Sequence, residues 1–126
     1  MLRLIGGVVA GIIVWGILVT TLNFGLRYRW PDYAAVEKAM TFTLPMMIAR
    51  LSESAISSIV SGFVAAVVAR NRWAPALSGA ILLLLFIPVH YSLWSKFPVW
   101  YHLTFLTSLL VLSIAGGGLA RIRAAT

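Results

Sequence analysis

The sequence predicts an all-α membrane protein: a four-transmembrane-helix antiparallel bundle with a short interfacial helix between helices 1 and 2. Three observations carry this reading. Apolar residues make up 61% of the 126 residues and charged residues only 10%, against about 25% charged in soluble domains. Four apolar stretches, about 4–26, 44–69, 74–94 and 99–119, each reach the ~20 residues a helix needs to cross a bilayer. The basic residues behind the net charge of +7 sit almost entirely at the ends of those stretches, where they act as topology signals. They form no basic run, so nucleic acid is not an expected partner. The chain contains no cysteine, which excludes disulfides, thiolate metal sites and cysteine nucleophiles. At this length it reads as one integral membrane domain, 1–126.

The first stretch carries a Gly7-x-x-x-Gly11 match, a spacing that favours close helix contact in membranes. Arg3 supplies a short basic leader, but no small-x-small cleavage site follows the apolar run, so the segment is expected to be retained. Gly16, Thr20 and Asn23 share a face near its far end. The one long polar connection, Arg27 to Thr43, places Tyr28, Trp30 and Tyr33 where aromatic residues suit a membrane–water interface. Pro31 is suited to a helix's first turn, and Tyr33, Val36 and Met40 recur on one face, which predicts a short surface helix.

The second stretch has two ridges of small residues at steps of four, each headed by a charge: Arg50, Ser54, Ser58, Gly62, Ala66 and Glu53, Ser57, Ser61, Ala65, Ala69. The opposite side is bulky and apolar. Small residues let another backbone approach, while the bulky side faces lipid. Arg50 and Glu53 stand three residues apart and are expected to pair. A helix starting near Leu44 would put them roughly 9 and 13 Å deep, where an isolated charge costs at least ~2.5–3.5 kcal/mol. Pro45 belongs to the first turn, and Arg70-Asn71-Arg72 form a tight basic turn.

In the third stretch Ala76, Ala80, Leu83, Ile87, His90 and Trp94 form a stripe expected to pack inward, with Pro88 kinking the helix and freeing the Leu84 carbonyl. After the turn at Ser95-Lys96-Phe97-Pro98, the fourth stretch opens with Trp100, Tyr101 and His102, the histidine expected at the interface. Thr104, Ser108, Val111, Ala115 and Gly118 form another small stripe.

Four crossings put both termini on one side, with Arg3, Arg70, Arg72, Arg121 and Arg123 facing Arg27, Arg29, Lys38 and Lys96 on the other. The bias favours cytoplasmic termini in a plasma (inner) membrane. A balance this close also permits insertion in both orientations. The same topology gathers Asn23, Arg50, Glu53, His90 and His102 in one leaflet and most of the glycine in the other. One end of the bundle should be polar and the other tightly packed.

His90, His102 and Glu53 match a two-histidine, one-carboxylate count, but without a spacing signature, and no metal or other cofactor is expected. The many serines of the second stretch lack an activating base, and no nucleophile-elbow, zincin or phosphate-loop motif is present, so no catalytic residue is assigned and the chain reads as a non-enzyme. In length and crossing number it resembles the small multidrug resistance transporters, which work as dimers. That family carries its essential carboxylate on the first helix, where this sequence has none, so no residue is carried over. Two functions follow. The first is a structural, accessory or self-associating bundle, in which Gly7 and Gly11 would meet a second copy or another membrane protein. The alternative is a small proton-coupled transporter or anionic-ligand binder using Glu53, Arg50 and His90. The lipid bilayer is a partner under either.

Overall fold

The computed structural model describes the backbone of residues 1–125 and the side chains of residues 1–121. Five helices follow one another: α1 (Leu2–Arg29), α2 (Pro31–Glu37), α3 (Leu44–Ala69), α4 (Ala74–Ser92) and α5 (Val99–Ala125), with a single 3-10 turn at Trp94–Lys96. The first, third, fourth and fifth are long and apolar enough to cross a membrane, and α2 is the short helix between the first two of these. The Arg123 side chain, counted among the terminal arginines, lies outside the described residues.

Proline sets most of the helix starts. Pro31, Pro45 and Pro75 occupy the first turns of α2, α3 and α4, where a missing N–H costs nothing, and Pro98 immediately precedes α5. The fifth proline, Pro88, lies inside α4, which runs through it to Ser92. α3 ends at Arg70, in the left-handed conformation (φ 51°, ψ 41°) with its N–H bonded to the Ala66 carbonyl. The Asn71 side-chain oxygen then accepts the Trp73 N–H at 2.8 Å and tightens the turn into α4.

α3 is the central element and packs along both α1 and α5. Its inward face is the pair of small ridges: Ser54, Ser57, Ser58, Ser61 and Ala65 are fully buried, while Ile56, Val67 and Val68 are exposed. Gly7 of α1 lies against Ala65 and Ala69, and Gly11 against Ser61 and Ser78. The Ser61 hydroxyl donates to the Gly11 carbonyl at 2.7 Å. On the other flank Gly62 meets the Ser113 backbone and Gly116 the Ile59 backbone so closely that a Cβ at either would overlap a carbonyl oxygen. The glycine pair of α1 is therefore consumed inside the chain and is not a free surface for a partner.

Two expected stripes are rotated. On α4 the buried residues are Ala74, Pro75, Ser78, Gly79, Leu82 and His90; His90 of the expected stripe is inward, whereas Ile87 and Trp94 are exposed. On α5 the inward residues include Phe105, Leu109, Ser113, Gly116 and Gly117, while Thr104, Val111 and Ala115 face outward. Both helices are apolar all round, so hydropathy prefers no face. The azimuth is set instead by where glycine and serine allow contact with α3 and with each other. Above this small-residue end, Trp15, Leu82, Phe105 and Leu109 form the central apolar layer, with the Trp15 indole donating to the Ser58 hydroxyl at 3.1 Å.

A candidate functional site at the polar end

The far end of α1, the first turns of α3, the last turn of α4 and the first turn of α5 meet at the other end of the bundle, and α2 folds over them. Tyr33 on α2 is fully buried. Its ring stacks between Trp30 and Phe42, and stacking continues from Phe42 to Phe97 and from Phe97 to Tyr101 at 4.3 Å. Tyr33 is thus an internal residue, not an interfacial anchor. Of the expected face Tyr33, Val36 and Met40, only Tyr33 is buried, and Met40 lies beyond the end of α2 with a left-handed backbone.

The Tyr33 hydroxyl is the junction of a hydrogen-bond chain. Arg50 Nη1 donates to it at 2.8 Å, and it donates in turn to Asn23 Oδ1 at 2.5 Å. The Asn23 amide donates to Glu37 Oε2 at 2.6 Å, and Glu37 also receives Arg27, the one ion pair among the described residues. Those Arg27 hydrogen bonds hold the Glu37 carboxyl below its ordinary range. Burial pushes the Tyr33 phenol up, so it remains neutral and both gives and receives a hydrogen bond. A second Arg50 contact, Nε to the Tyr101 hydroxyl at 3.2 Å, and its guanidinium 4.7 Å above the Phe42 ring complete the cage.

The expected Arg50–Glu53 ion pair does not form. Arg50 reaches out to tyrosines on α2 and α5, and Glu53 Oε1 is buried with no hydrogen-bond partner. Glu53 as a whole is 7% exposed. Both residues line a cavity of about 280 Å³ whose other walls include Thr20, Asn23 and Arg27 on the polar side and Trp15, Phe86 and Phe105 on the apolar side. Ser54 and Ser57, on the next turn of α3, carry buried hydroxyl oxygens that also lack a partner. The aromatic walls carry no sequence pattern of their own. They are adjacent only because α1, α4 and α5 meet at that level.

The two histidines come together, separately from Glu53. His90 and His102 Nδ1 atoms are 2.7 Å apart, and His102 Nε2 faces the Trp94 carbonyl at 3.2 Å. A carbonyl only accepts, so a neutral His102 carries its proton on Nε2 and its Nδ1 accepts from His90. His102 is fully buried and stacked on Trp94 at 4.7 Å, so in the first turn of α5 it faces protein. The physical reason is that the 3-10 turn Trp94–Lys96 lays its backbone and indole over the start of α5. Among the described residues no three His, Asp or Glu side chains converge as a metal set.

No protein-family model, curated protein or solved structure matches this chain.

Proposed function

We propose that the chain is a small polytopic membrane protein that binds a small anion together with a proton in the Glu53–Arg50 cavity, as a proton-coupled transporter or ligand-binding protein would. The observation that carries the reading is Glu53 Oε1, buried and without a donor, on a residue that lines the same cavity as the Arg50 guanidinium. Leaving a buried polar atom unmade costs about 1–3 kcal/mol. A bundle that needed only packing would lose nothing by having Leu or Ser there.

The charge logic follows from the two side chains. An ionised Glu53 offsets the Arg50 charge within the cavity. A proton on Glu53 removes that offset and leaves one positive charge facing a space of about 280 Å³, enough for a small oxyanion with a few waters at ~30 Å³ each. Proton and anion thus favour each other's binding, which is the requirement for coupling. Arg50 is the anion contact, Glu53 the proton carrier and Asn23 a cavity-wall hydrogen-bonding group. His90 and His102 are a separate packed pair that does not line the cavity. The role is non-enzymatic. The competing accessory-bundle reading loses Gly7 and Gly11 as a partner surface, because both are occupied within the chain. The chain is placed in an inner membrane with cytoplasmic termini, as the arginine bias suggests.

The test is proton-linked binding. Purified full-length chain in weakly buffered detergent at neutral pH is titrated with sulfate and with nitrate. The parent should take up on the order of one proton per chain as the anion binds. Glu53→Gln should bind without that uptake, and Arg50→Gln should bind neither ion. No anion binding by the parent, or unchanged uptake by Glu53→Gln, would sink the reading.

A further inference from the structure

The opposite end of the bundle holds a second and larger space. A groove of about 870 Å³ runs between the C-terminal turn of α3, the first turns of α4 and the last part of α5. Its body is apolar, built from side chains such as Val67, Trp73, Pro75 and Ile114, and its mouth carries Arg70, Arg72 and Arg121. We propose that this groove binds a phospholipid with an anionic headgroup, the phosphate at the three arginines and an acyl chain along the apolar floor.

Charge complementarity commits the occupant. The chain has three acidic residues, Asp32, Glu37 and Glu53, and all three lie toward the other end, on α2 or the first half of α3. Among the described residues none of the three groove arginines has a carboxylate partner. Arg72 lies 5.1 Å over the Trp73 ring, which holds its guanidinium at the mouth beside an aromatic residue of the type that seats at headgroup level. Arg70 takes a left-handed backbone conformation (φ 51°) that glycine would adopt at lower cost. A free phosphate would use the arginines and leave the apolar floor wet. A hydrophobic peptide would use the floor and leave three cations unanswered. An anionic lipid answers both, and basic recesses between helix ends are a known setting for such headgroups. The groove is also at the bundle end away from Glu53, so the inference does not depend on that site.

The experiment is native mass spectrometry of the full chain in mild detergent, with phosphatidylglycerol or phosphatidylcholine added at equal concentration, repeated with inorganic phosphate present. At about 1 kcal/mol per arginine near a lipid surface, roughly fivefold in affinity each, the parent should retain phosphatidylglycerol at least about tenfold better than phosphatidylcholine. R70Q/R72Q/R121Q should bring the two lipids to within about twofold. The control R29Q/K38Q/K96Q, at the other end, should keep the preference. Ala76→Leu, which keeps every charge and fills the groove floor, should weaken retention of phosphatidylglycerol. Equal retention of both lipids by the parent, or a preference that survives the triple arginine change, would overturn the proposal. So would displacement of the lipid by inorganic phosphate at micromolar concentration, which would mark the mouth as a free-oxyanion site, or unchanged retention in Ala76→Leu, which would mean that the floor holds no acyl chain.

Discussion

Arg50 donates to the Tyr33 hydroxyl, 17 positions back along the chain and on another helix, and not to Glu53 one turn further along its own. The tyrosine satisfies the guanidinium without neutralising it, and the carboxylate is left with a buried, unpartnered oxygen. The division of labour sets what substitutions at the two positions should do.

Arg50→Leu should destabilise the bundle by roughly 2–3 kcal/mol, because two tyrosine hydroxyls lose a charged donor. Glu53→Gln should be neutral or mildly stabilising, since it removes a buried charge that lacks a partner. Unfolding in detergent of Arg50→Leu, Glu53→Gln and the double variant checks this. The double should be less destabilised than the sum of the singles by about 0.5–1 kcal/mol, because the two side chains share one cavity and offset each other's charge. Full recovery in the double would mean that the two groups behave as a pair.

Tyr33→Phe removes the junction between Arg50 and Asn23, leaving a donor and an acceptor unmade, and should cost about 1–3 kcal/mol. Tyr101→Phe breaks one longer bond, 3.2 Å, and should cost less. Thermal unfolding of the two variants side by side ranks them. A Tyr101→Phe variant weaker than Tyr33→Phe would move the junction to α5.

Glu37 gives an acid limb to stability. Its carboxyl is held below the ordinary value of 4.5 by Arg27 in the folded chain, so the unfolded chain binds the proton first. The stabilisation is therefore present above pH ~4.5 and is lost as pH falls through the folded-state value. The difference in stability between the parent and Glu37→Gln should be constant near neutrality and shrink below pH ~4.5. A difference that persists unchanged into strong acid would contradict the assignment.

Gly62→Ala and Gly116→Ala place a Cβ against the carbonyl oxygens of Ser113 and Ile59. Each should force α3 and α5 apart and cost upwards of about 2 kcal/mol. Gly6→Ala, which meets open space, should instead gain up to about 1 kcal/mol from helix propensity. Melting temperatures of the three variants separate close backbone approach from a general intolerance of alanine.

The number and approximate ends of the spans, the short helix after the first of them and the inward face of α3 were legible in the sequence. Each depends on residues of one segment: apolar length, prolines at first turns, and a serine and glycine ridge whose 100° spacing keeps Ser54, Ser58 and Gly62 together whatever surrounds them. The gathering of Asn23, Arg50 and Glu53 at one end also followed, because antiparallel crossings alone decide which helix ends are neighbours. Only the tertiary structure decided which way α4 and α5 turn, that Tyr33 and His102 are buried, and which group Arg50 takes. A helix apolar on every side has no face that hydropathy can choose. A long guanidinium finds its partner among side chains brought near by other helices, here 17 and 51 residues away in sequence. Local geometry is written in adjacent residues, whereas the rotation of one helix against another is a property of their contact.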